Sequence, residues 1–557
     1  TILKVNSGGC DRALSPNTTS VLVGAKSTYS AVTGWDFSPV TGREIIFDAD
    51  YNIAANLSGC SCTVNPGKVV TIPSGSSMIL LNSIAVDTTN PITSLTFENT
   101  APLIQINNVA NSGKISVKRN SSQLMRLDYT LWSSPVAGQN LLAFSPATYN
   151  VAPSNIRFYT YNTTSNFYSI IPPASNSFAF GLGYLIRMPD NHPTTPTIWP
   201  GQFTGIPNNG NTSVPISYIS NTQAFNSIGN PYPSPINLYD ITNGFMKVNA
   251  ANIESTIYFW RKTNSNTANS GYCSYNNNIL VSATNSTFNG TNPNGVIQTG
   301  QGFLITAKPG ATSVLFNNDM RIASTVNQFN KTVEADHNTI WLNLTNDINS
   351  FAQTAVTYRP NGTNNIDDYD GVNLNDGQIS VGSSANNKNY IIQSRLFPFN
   401  ETDVVPLIVK TNTSGNYTFA IDHLSGFFIN RTQPIYLKDK LFNVLTDLNN
   451  GNYTFTATSG TDSNRFEIVY QNILSLPANT ASGNAVVVYK NNTDFVINAG
   501  NAAISNVKIY DLQGRLLLSK VNINNSEVRL NIGNVNQMVI IKTTLIDGQV
   551  FSTKALN

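Results

Sequence analysis

Residues 538–556, MVIIKTTLIDGQVFSTKAL, decide the fold class of this chain. Two runs of β-branched and apolar residues lie on either side of Asp547-Gly548. Both turn residues of a tight hairpin must tolerate positive φ, as an Asp-Gly pair does, so the pattern predicts an antiparallel hairpin. Residues 507–519, VKIYDLQGRLLLS, have the same arrangement of strand, turn and strand. Residues 484–557 are therefore predicted to form a small Ig-like sandwich of strands alone.

These motifs resemble the type A C-terminal sorting domain of proteins that Bacteroidota export through the type IX secretion system. The resemblance is confined to 484–557. It departs from the family pattern at 536–538, where Asn-Gln-Met replaces a common Gly-x-Tyr. The residues that carry the sorting-domain motif are Tyr510, Asp511, Gly514, Arg515, Asp547, Gly548 and Lys554.

The resemblance implies a route, partners and a destination. A member of this family crosses the periplasm, and the outer-membrane translocon and a shuttle barrel protein recognise its sorting domain. A sortase-like peptidase normally then cuts before that domain, which here places the cut within 476–483. The expectation is a large, Asn/Thr-rich protein that is secreted or displayed at the cell surface.

The composition is that of a β-rich extracellular protein. Charged residues make up 11% of the 557 residues, against about 25% in a typical soluble domain, so Asn, Thr and Ser must supply the polar surface. Thr favours strands and Asn favours turns. A net charge of +2 without a basic cluster argues against nucleic acid as a partner, because such binding depends on neutralising phosphates.

Turn signals divide the chain into an all-β series of domains. Residues 1–115 have short apolar runs broken by Pro-Gly and Ser-Gly turns, which is typical of a short β-solenoid or of a sandwich. Two related β units follow at 116–220 and 221–330. Regularly spaced strands over 331–475 predict a jelly-roll or immunoglobulin-like sandwich. The sorting module at 484–557 completes the series.

The two central units indicate an internal duplication. Each contains a Ser/Pro bend, an aromatic strand, and a Gly-x-Gly followed by an aromatic residue, Leu and Ile. The glycine pairs, Gly181-x-Gly183 and Gly300-x-Gly302, lack the third glycine and the helix of a nucleotide-binding loop. Glycines inside strands mark bulges or close backbone approach, and that interpretation is favoured here.

The aromatic strands of the two units leave two interpretations open. Exposed rings on a sheet can stack on sugars, whereas rings on both faces of a covered sheet belong to the core. The second interpretation is favoured. The residues concerned are Phe158, Tyr159, Tyr161, Tyr258, Phe259 and Trp260.

An acidic loop is a candidate for structural calcium, which binds six to eight oxygens. The loop lacks the spacing and the final Glu of an EF-hand, and Asp/Asn/Gly loops also form turns without a metal. The candidate ligands are Asp367, Asp368, Asp370, Asn373, Asn375 and Asp376.

Four cysteines suggest one disulfide, which forms in an oxidising compartment. Cys10 is expected to pair with Cys60 or Cys62, and the sequence does not choose between them. The fourth cysteine is Cys273.

No catalytic motif stands out around His192, His337 or His423. The function that fits best is a non-enzymatic structural or adhesive β protein of the cell surface, which could associate with itself. The alternatives are an array of carbohydrate-binding modules with a glycan partner, and a secreted hydrolase whose triad forms only in space.

Overall fold

The computed structural model describes residues 26–87, 94–151, 155–262, 269–283, 293–323, 337–386, 388–471, 486–491, 493–533 and 537–556, together with the backbone of 5–7 and 10–12. Strands account for 51% of the residues and helices for 3%, which confirms the all-β prediction. The chain divides into two compact units, Thr1–Gln471 and Asn472–Asn557. Among the described residues, no helix is long and apolar enough to cross a membrane.

The N-terminal part of the first unit contains thirteen short strands. Their bounds are β1 Val5–Ser7, β2 Cys10–Arg12, β3 Lys26–Ser30, β4 Gly34–Trp35, β5 Glu44–Phe47, β6 Leu57–Gly59, β7 Cys62–Val64, β8 Val70–Ile72, β9 Met78–Leu80, β10 Ile84–Val86, β11 Leu95–Phe97, β12 Leu103–Gln105 and β13 Ile115–Leu124.

Ten of these strands form a β-solenoid with three parallel faces, whereas β4 pairs antiparallel with β3, and β1 and β2 form a separate antiparallel pair. One face pairs β3, β5, β7 and β10, the second pairs β8, β11 and β13, and the third pairs β6, β9 and β12. Most three-residue strands bury their first and last side chains and turn the middle one outward, so each rung adds apolar side chains to one narrow core. The solenoid predicted as one of two options is confirmed.

The two repeats follow, each with a four-residue helix. Their elements are β14 Tyr129–Trp132, β15 Val136–Ala137, α1 Leu141–Phe144, β16 Asn150–Val151, β17 Asn155–Ile156, β18 Phe158–Asn162, β19 Phe167–Ile170, β20 Tyr184–Arg187, β21 Thr197–Pro207, β22 Thr212–Pro215, β23 Phe225–Gly229, β24 Ile236–Asn237, α2 Phe245–Val248, β25 Ile257–Trp260, β26 Tyr272–Asn276, β27 Ile279–Val281, β28 Val296–Ile297, β29 Gly302–Thr306 and β30 Ser313–Phe316, with a 3-10 turn at Asn318–Met320.

The main sheets of the repeats have the same antiparallel topology. The order is β14-β20-β18-β19 in the first repeat and β23-β29-β25-β26-β27 in the second. Corresponding strands therefore occupy corresponding places, as expected of a duplication. The long strand β21 also pairs with β13, so the solenoid and the first repeat share a sheet and a hydrophobic core.

The last part of the first unit is one sheet of eleven strands. They are β31 Asn338–Asn346, β32 Phe351–Arg359, β33 Gly371–Val372, β34 Ser380–Ala385, β35 Lys388–Leu396, β36 Val404–Thr411, β37 Gly415–Leu424, β38 Tyr436–Asp439, β39 Val444–Asp447, β40 Tyr453–Ala457 and β41 Gly460–Val469, with a 3-10 turn at Gly426–Phe428.

This sheet curls into a nearly closed barrel, in the order β39-β38-β41-β36-β34-β35-β32-β31-β37-β40 with β33 beside β35. The sequence predicts two packed sheets here. The strands remain in one sheet because β35 pairs in parallel with β32 and thereby joins the two groups. Phe419, Phe455 and Phe466 pack together in its core.

The second unit contains β42 Val487–Asn491, β43 Asp494–Asn498, β44 Ile504–Asp511, β45 Leu516–Asn525, β46 Glu527–Leu530, β47 Met538–Leu545 and β48 Val550–Leu556. A three-stranded sheet (β42-β43-β46) and a four-stranded sheet (β45-β44-β47-β48) enclose a core that includes Phe495, Val507 and Ile541. This is the small antiparallel sandwich that the sequence predicts.

Candidate functional site

The seam between the repeats is built on the two Gly-x-Gly segments. The Gly183 amide donates to the Ser227 carbonyl oxygen over 3.2 Å, and the Ser133 amide donates to the Gly300 carbonyl oxygen over 2.9 Å. Each repeat thus places its glycines against the first strand of the other. The glycines allow close backbone approach, as the sequence predicts, and they hold the two repeats together.

Aromatic side chains fill the junction where the repeats meet the barrel. Phe158, Tyr258 and Phe259 are buried, whereas Tyr161 and Trp260 are half-buried. The six aromatic residues singled out in the sequence therefore form no exposed platform, since Tyr159 is also half-buried.

A chain of ring contacts and hydrogen bonds connects the two repeats at this junction. Tyr168 packs edge-on against Tyr161 at 5.1 Å, and its hydroxyl forms a 2.5 Å hydrogen bond with that of Tyr272. The Tyr258 hydroxyl donates to the Val372 carbonyl oxygen of the barrel over 2.6 Å. Burial raises the pKa of Tyr161 and Tyr168, so both remain neutral donors.

Beside this junction lies a polar cleft of about 330 Å³ between the repeats. Strands β18 and β19 of the first repeat form one wall, and the segment 215–228, which runs from the end of β22 into β23, forms the other. Hydroxyl and amide groups predominate in its lining. The lining residues are Thr160, Tyr161, Asn162, Thr163, Thr164, Ser169, Leu182, Pro215, Ser217, Asn226, Ser227 and Ile228.

Hydrogen bonds fix the walls of the cleft. Thr163 Oγ1 donates to the Phe225 carbonyl oxygen over 2.7 Å. The side-chain amide of Asn226 forms two hydrogen bonds with the backbone of Ser217. Its Oδ1 accepts from the Ser217 nitrogen over 2.8 Å, and its Nδ2 donates to the Ser217 carbonyl oxygen over 2.9 Å. Tyr161 is the one lining residue among the aromatic candidates, and the other lining residues come from separate segments and match no motif.

The candidate calcium ligands make hydrogen bonds and an ion pair within the protein. Asp370 accepts from the amides of Asp367 and Ser394, at 2.7 and 2.8 Å. Asp376 accepts from the Ser270 hydroxyl and the Gly271 amide, at 2.6 and 2.7 Å, in the second repeat.

The other four candidates, Asp367, Asp368, Asn373 and Asn375, take part in different local contacts. Asp367 Oδ2 accepts from the Thr363 amide over 2.7 Å, and Asp368 forms an ion pair with Lys308 at 3.3 Å. Asn373 Oδ1 accepts from the Asn375 amide over 2.9 Å, as in an Asx turn. In the described residues, no group of three or more His, Cys, Asp or Glu side chains could hold a metal. These contacts connect the loop to the second repeat, and calcium at this loop stays a prediction.

The cysteines separate into one bonded and two free positions. Cys60 is in a disulfide, whereas Cys62 and Cys273 are free, buried thiols. Cys62 was an equal candidate for the bridge, but it points into the solenoid core, where burial raises its pKa. The side chain of Cys10 lies outside the described residues.

The histidines occupy structural positions. His192 is buried, with Nε2 2.9 Å from the Leu124 carbonyl oxygen. His423 stacks on Trp341 at a ring-centroid distance of 3.9 Å, and its Nδ1 lies 2.6 Å from Asp422 Oδ2. Within the described ranges, no hydroxyl or thiol group hydrogen-bonds to His423, so its pairing with Asp422 is not extended to a nucleophile. His337 is half-buried.

Residues that resemble the sorting-domain motif lie in two hairpins of the second unit, β44–β45 and β47–β48. Asp511 Oδ1 accepts from the amides of Gln513 and Arg515, at 3.0 and 2.9 Å, and Gly514 takes a φ of 83°. These bonds lower the pKa of Asp511. Tyr510, on β44, pairs with Ile540 of β47.

Asp547 and Gly548 lie in a three-residue loop, 546–548, closed by the hydrogen bond from the Leu545 amide to the Gln549 carbonyl oxygen, and of the two only Gly548 takes a positive φ. Asp547 Oδ1 accepts from the Gln549 amide over 2.9 Å, and Gly548 has a φ of 87°. Lys554 is exposed on the edge strand β48. The cleavage segment 476–483 and Asn536 lie outside the described residues.

Two family models match the chain, and their limits follow the two units. A domain of unknown function, DUF8693, matches residues 39–470, and a second, DUF8694, matches 474–557. No curated protein matches. Among solved structures the chain is similar to a central fibronectin-III array of RIM-binding protein, with 10% identity and a TM-score of 0.10 over 63% of this chain and 98% of that one.

Proposed function

The chain belongs to the DUF8693 family of unknown function, and we propose that it is a non-enzymatic β scaffold that the type IX secretion system delivers to the cell surface or the medium. Its structural or adhesive part is the unit Thr1–Gln471, and its export signal is the unit Asn472–Asn557.

The observation that carries this proposal is the independence of the C-terminal unit. It has its own core, and the residues that resemble the sorting motif lie in two of its hairpins. A separate family model matches it. An export signal must be readable whatever cargo precedes it, and a self-contained sandwich meets this need. Its expected partners are the outer-membrane translocon and the shuttle barrel protein.

The disulfide at Cys60 gives independent support for export. Structural disulfides persist in the periplasm and outside the cell, whereas cytosolic thiols are kept reduced.

The scaffold role is supported by the way that the parts of the first unit interlock. The guanidinium of Arg321 is buried and donates to the Leu103 carbonyl oxygen of the solenoid over 2.6 Å, and to Asn209 Oδ1 and Ser234 Oγ of the repeats at 2.9 and 3.0 Å. At the other end of the repeats, Trp341 Nε1 of the barrel donates to the Leu280 carbonyl oxygen over 2.8 Å. These hydrogen bonds connect solenoid, repeats and barrel within one compact unit, which suits a load-bearing or adhesive element.

Export is tested by deleting residues 484–557 in cells that have a type IX system. The truncated chain should collect in the periplasm while the full chain reaches the surface. As the reciprocal control, 472–557 fused to a periplasmic reporter should carry the reporter outside. Surface delivery of the truncated chain, or retention of the fusion in the periplasm, contradicts the export signal.

The scaffold role is tested on the full chain by sedimentation and by binding to cells that lack it. Self-association or attachment to the cell surface is expected. A monodisperse monomer that binds no cells contradicts a structural or adhesive role, and leaves the export result unaffected.

A further inference from the structure

The cleft between the repeats has the walls and the size of a binding site. Its volume of about 330 Å³ is within the range of small-ligand pockets, roughly 300–1,000 Å³. Thr163 and Asn226 hold the two walls in place through the hydrogen bonds described above. A ligand entering such a preformed cleft loses little free energy to ordering the protein.

The cleft presents polar groups that the protein itself does not use. In the part of the chain that the structure describes, no intramolecular hydrogen bond occupies the hydroxyls of Thr160, Thr164, Ser169 and Ser217, or Nδ2 of Asn162. Hydroxyls both donate and accept, and an amide nitrogen donates. The lining therefore matches a ligand that carries many hydroxyls.

Comparison of the repeats shows that the first repeat has a small polar residue at a position where the second has a buried ring. Tyr159 pairs with Leu185 in the first repeat, and Tyr258 pairs with the corresponding Leu304 in the second. The residue after each tyrosine is therefore equivalent: Thr160, half-exposed, in the first and Phe259, 1% exposed, in the second. One copy fills this position with a buried ring, whereas the other leaves a hydroxyl facing the cleft.

The absence of charge in the lining favours neutral hydroxyl-rich ligands over anionic ones. None of the twelve lining residues is charged. A sulfated or uronic-acid chain would leave its anions without a cationic partner, which costs binding free energy.

We propose that this cleft binds a neutral oligosaccharide, or one segment of a longer neutral glycan. The inference goes beyond the proposed scaffold function and does not depend on the export signal. It gives an adhesive scaffold a specific ligand class and a location for it.

The test is binding of the full chain to a panel of neutral gluco-, manno-, galacto- and xylo-oligosaccharides, with uronic-acid and sulfated series for comparison. At least one neutral series should bind. Thr160→Val, which keeps the shape and removes one hydroxyl, should weaken binding about 2- to 10-fold, the effect of one hydrogen bond. Ser217→Tyr, at an exposed position, should fill the cleft and abolish binding.

The matched control is Thr130→Val on β14, which makes the same chemical change in the same sheet outside the cleft. It should leave the affinity unchanged. Equal losses for Thr130→Val and Thr160→Val would overturn the proposal. So would binding of the charged series alone, binding of an extended peptide in place of sugars, or no binding by any neutral series.

Discussion

Gly183 in the first repeat lies against Ser227 in the second, and the Ser227 hydroxyl donates to the Gly183 carbonyl oxygen over 3.1 Å. A Cβ atom at position 183 would stand 2.5 Å from Ser227 Oγ and 2.7 Å from the Ile228 carbonyl oxygen. The same holds for the second repeat, because a Cβ atom at Gly302 would stand 2.7 Å from Leu131 Cγ of the first repeat. The seam between the repeats thus requires the absence of a side chain on both sides.

Replacing Gly183 with alanine should therefore destabilise the first unit. The added methyl group meets backbone that cannot move away, and overpacking of this kind costs about 1–3 kcal/mol. The control is Gly451→Ala, because no atom lies within 4 Å of a Cβ at that position. Thermal unfolding should show a lower midpoint for the first variant and little change for the second. Equal midpoints for the two variants would show that the seam tolerates a side chain.

The sequence was sufficient to predict elements that depend on local rules. Asp547-Gly548 predicted a hairpin, and β47 and β48 form it, although only Gly548 takes a positive φ because the loop has three residues, 546–548. Short apolar runs with turns between them also indicated the solenoid, because each rung repeats the same local pattern.

Features that depend on contacts between distant segments could not be predicted from the sequence. The barrel is one sheet because β32 and β35 pair in parallel across a long connection, and no local pattern encodes that choice. Calcium at 367–376 stays a prediction, but the sequence could not show that Asp370 and Asp376 accept hydrogen bonds from different parts of the fold. The cleft likewise brings together Thr160 and Ser217, which only the tertiary fold makes neighbours.

A buried ion pair should be a major support of the barrel. Arg465 donates to Asp439 at 2.7 to 3.0 Å, and the two side chains are 8% and 1% exposed. The guanidinium also lies 4.7 Å from the ring centroid of Phe466. Arg465→Met leaves a buried carboxylate without its partner, which should cost about 3–5 kcal/mol.

The matched control for this pair is Lys440→Met. Lys440 pairs with Glu467 at 2.6 Å, but its side chain is 37% exposed. Loss of a solvated pair should cost about 0–1 kcal/mol. Chemical denaturation of both variants measures the difference, and similar losses would mean that burial adds nothing to the Arg465–Asp439 pair.

Asp370 should make stability depend on pH in the unusual direction for a carboxylic acid. Burial raises its pKa from 3.8 to about 7, although the amides of Asp367 and Ser394 favour the charged form. The folded state therefore holds a proton that the unfolded state releases at about pH 4. The stabilisation from this proton is complete below pH 4 and is lost as the pH rises through 7.

The measurement is the unfolding midpoint of the native chain and of Asp370→Asn between pH 4 and pH 8. The variant should be less stable throughout, because its Nδ2 faces an amide that needs an acceptor. Its deficit should shrink as the pH rises, since it has no proton to lose. The exposed Asp347→Asn serves as the control and should follow the native curve. A constant deficit for Asp370→Asn would contradict the raised pKa.

The thiols should respond to alkylating reagents in a fixed order. Cys60 is in a disulfide, and Cys62 and Cys273 are 0% and 3% exposed, with burial raising the pKa of both thiols. Reaction requires an accessible thiolate, so the folded, oxidised chain should resist labelling. Under denaturing conditions without reductant, Cys62 and Cys273 should become labelled while Cys60 does not. Reductant should then expose Cys60 as well, and peptide mass spectrometry distinguishes the positions.

Two outcomes would contradict this order. Labelling of Cys62 in the folded chain would place this side chain outside the solenoid core. Labelling of Cys60 before reduction would remove the disulfide from the structure and with it one support for export.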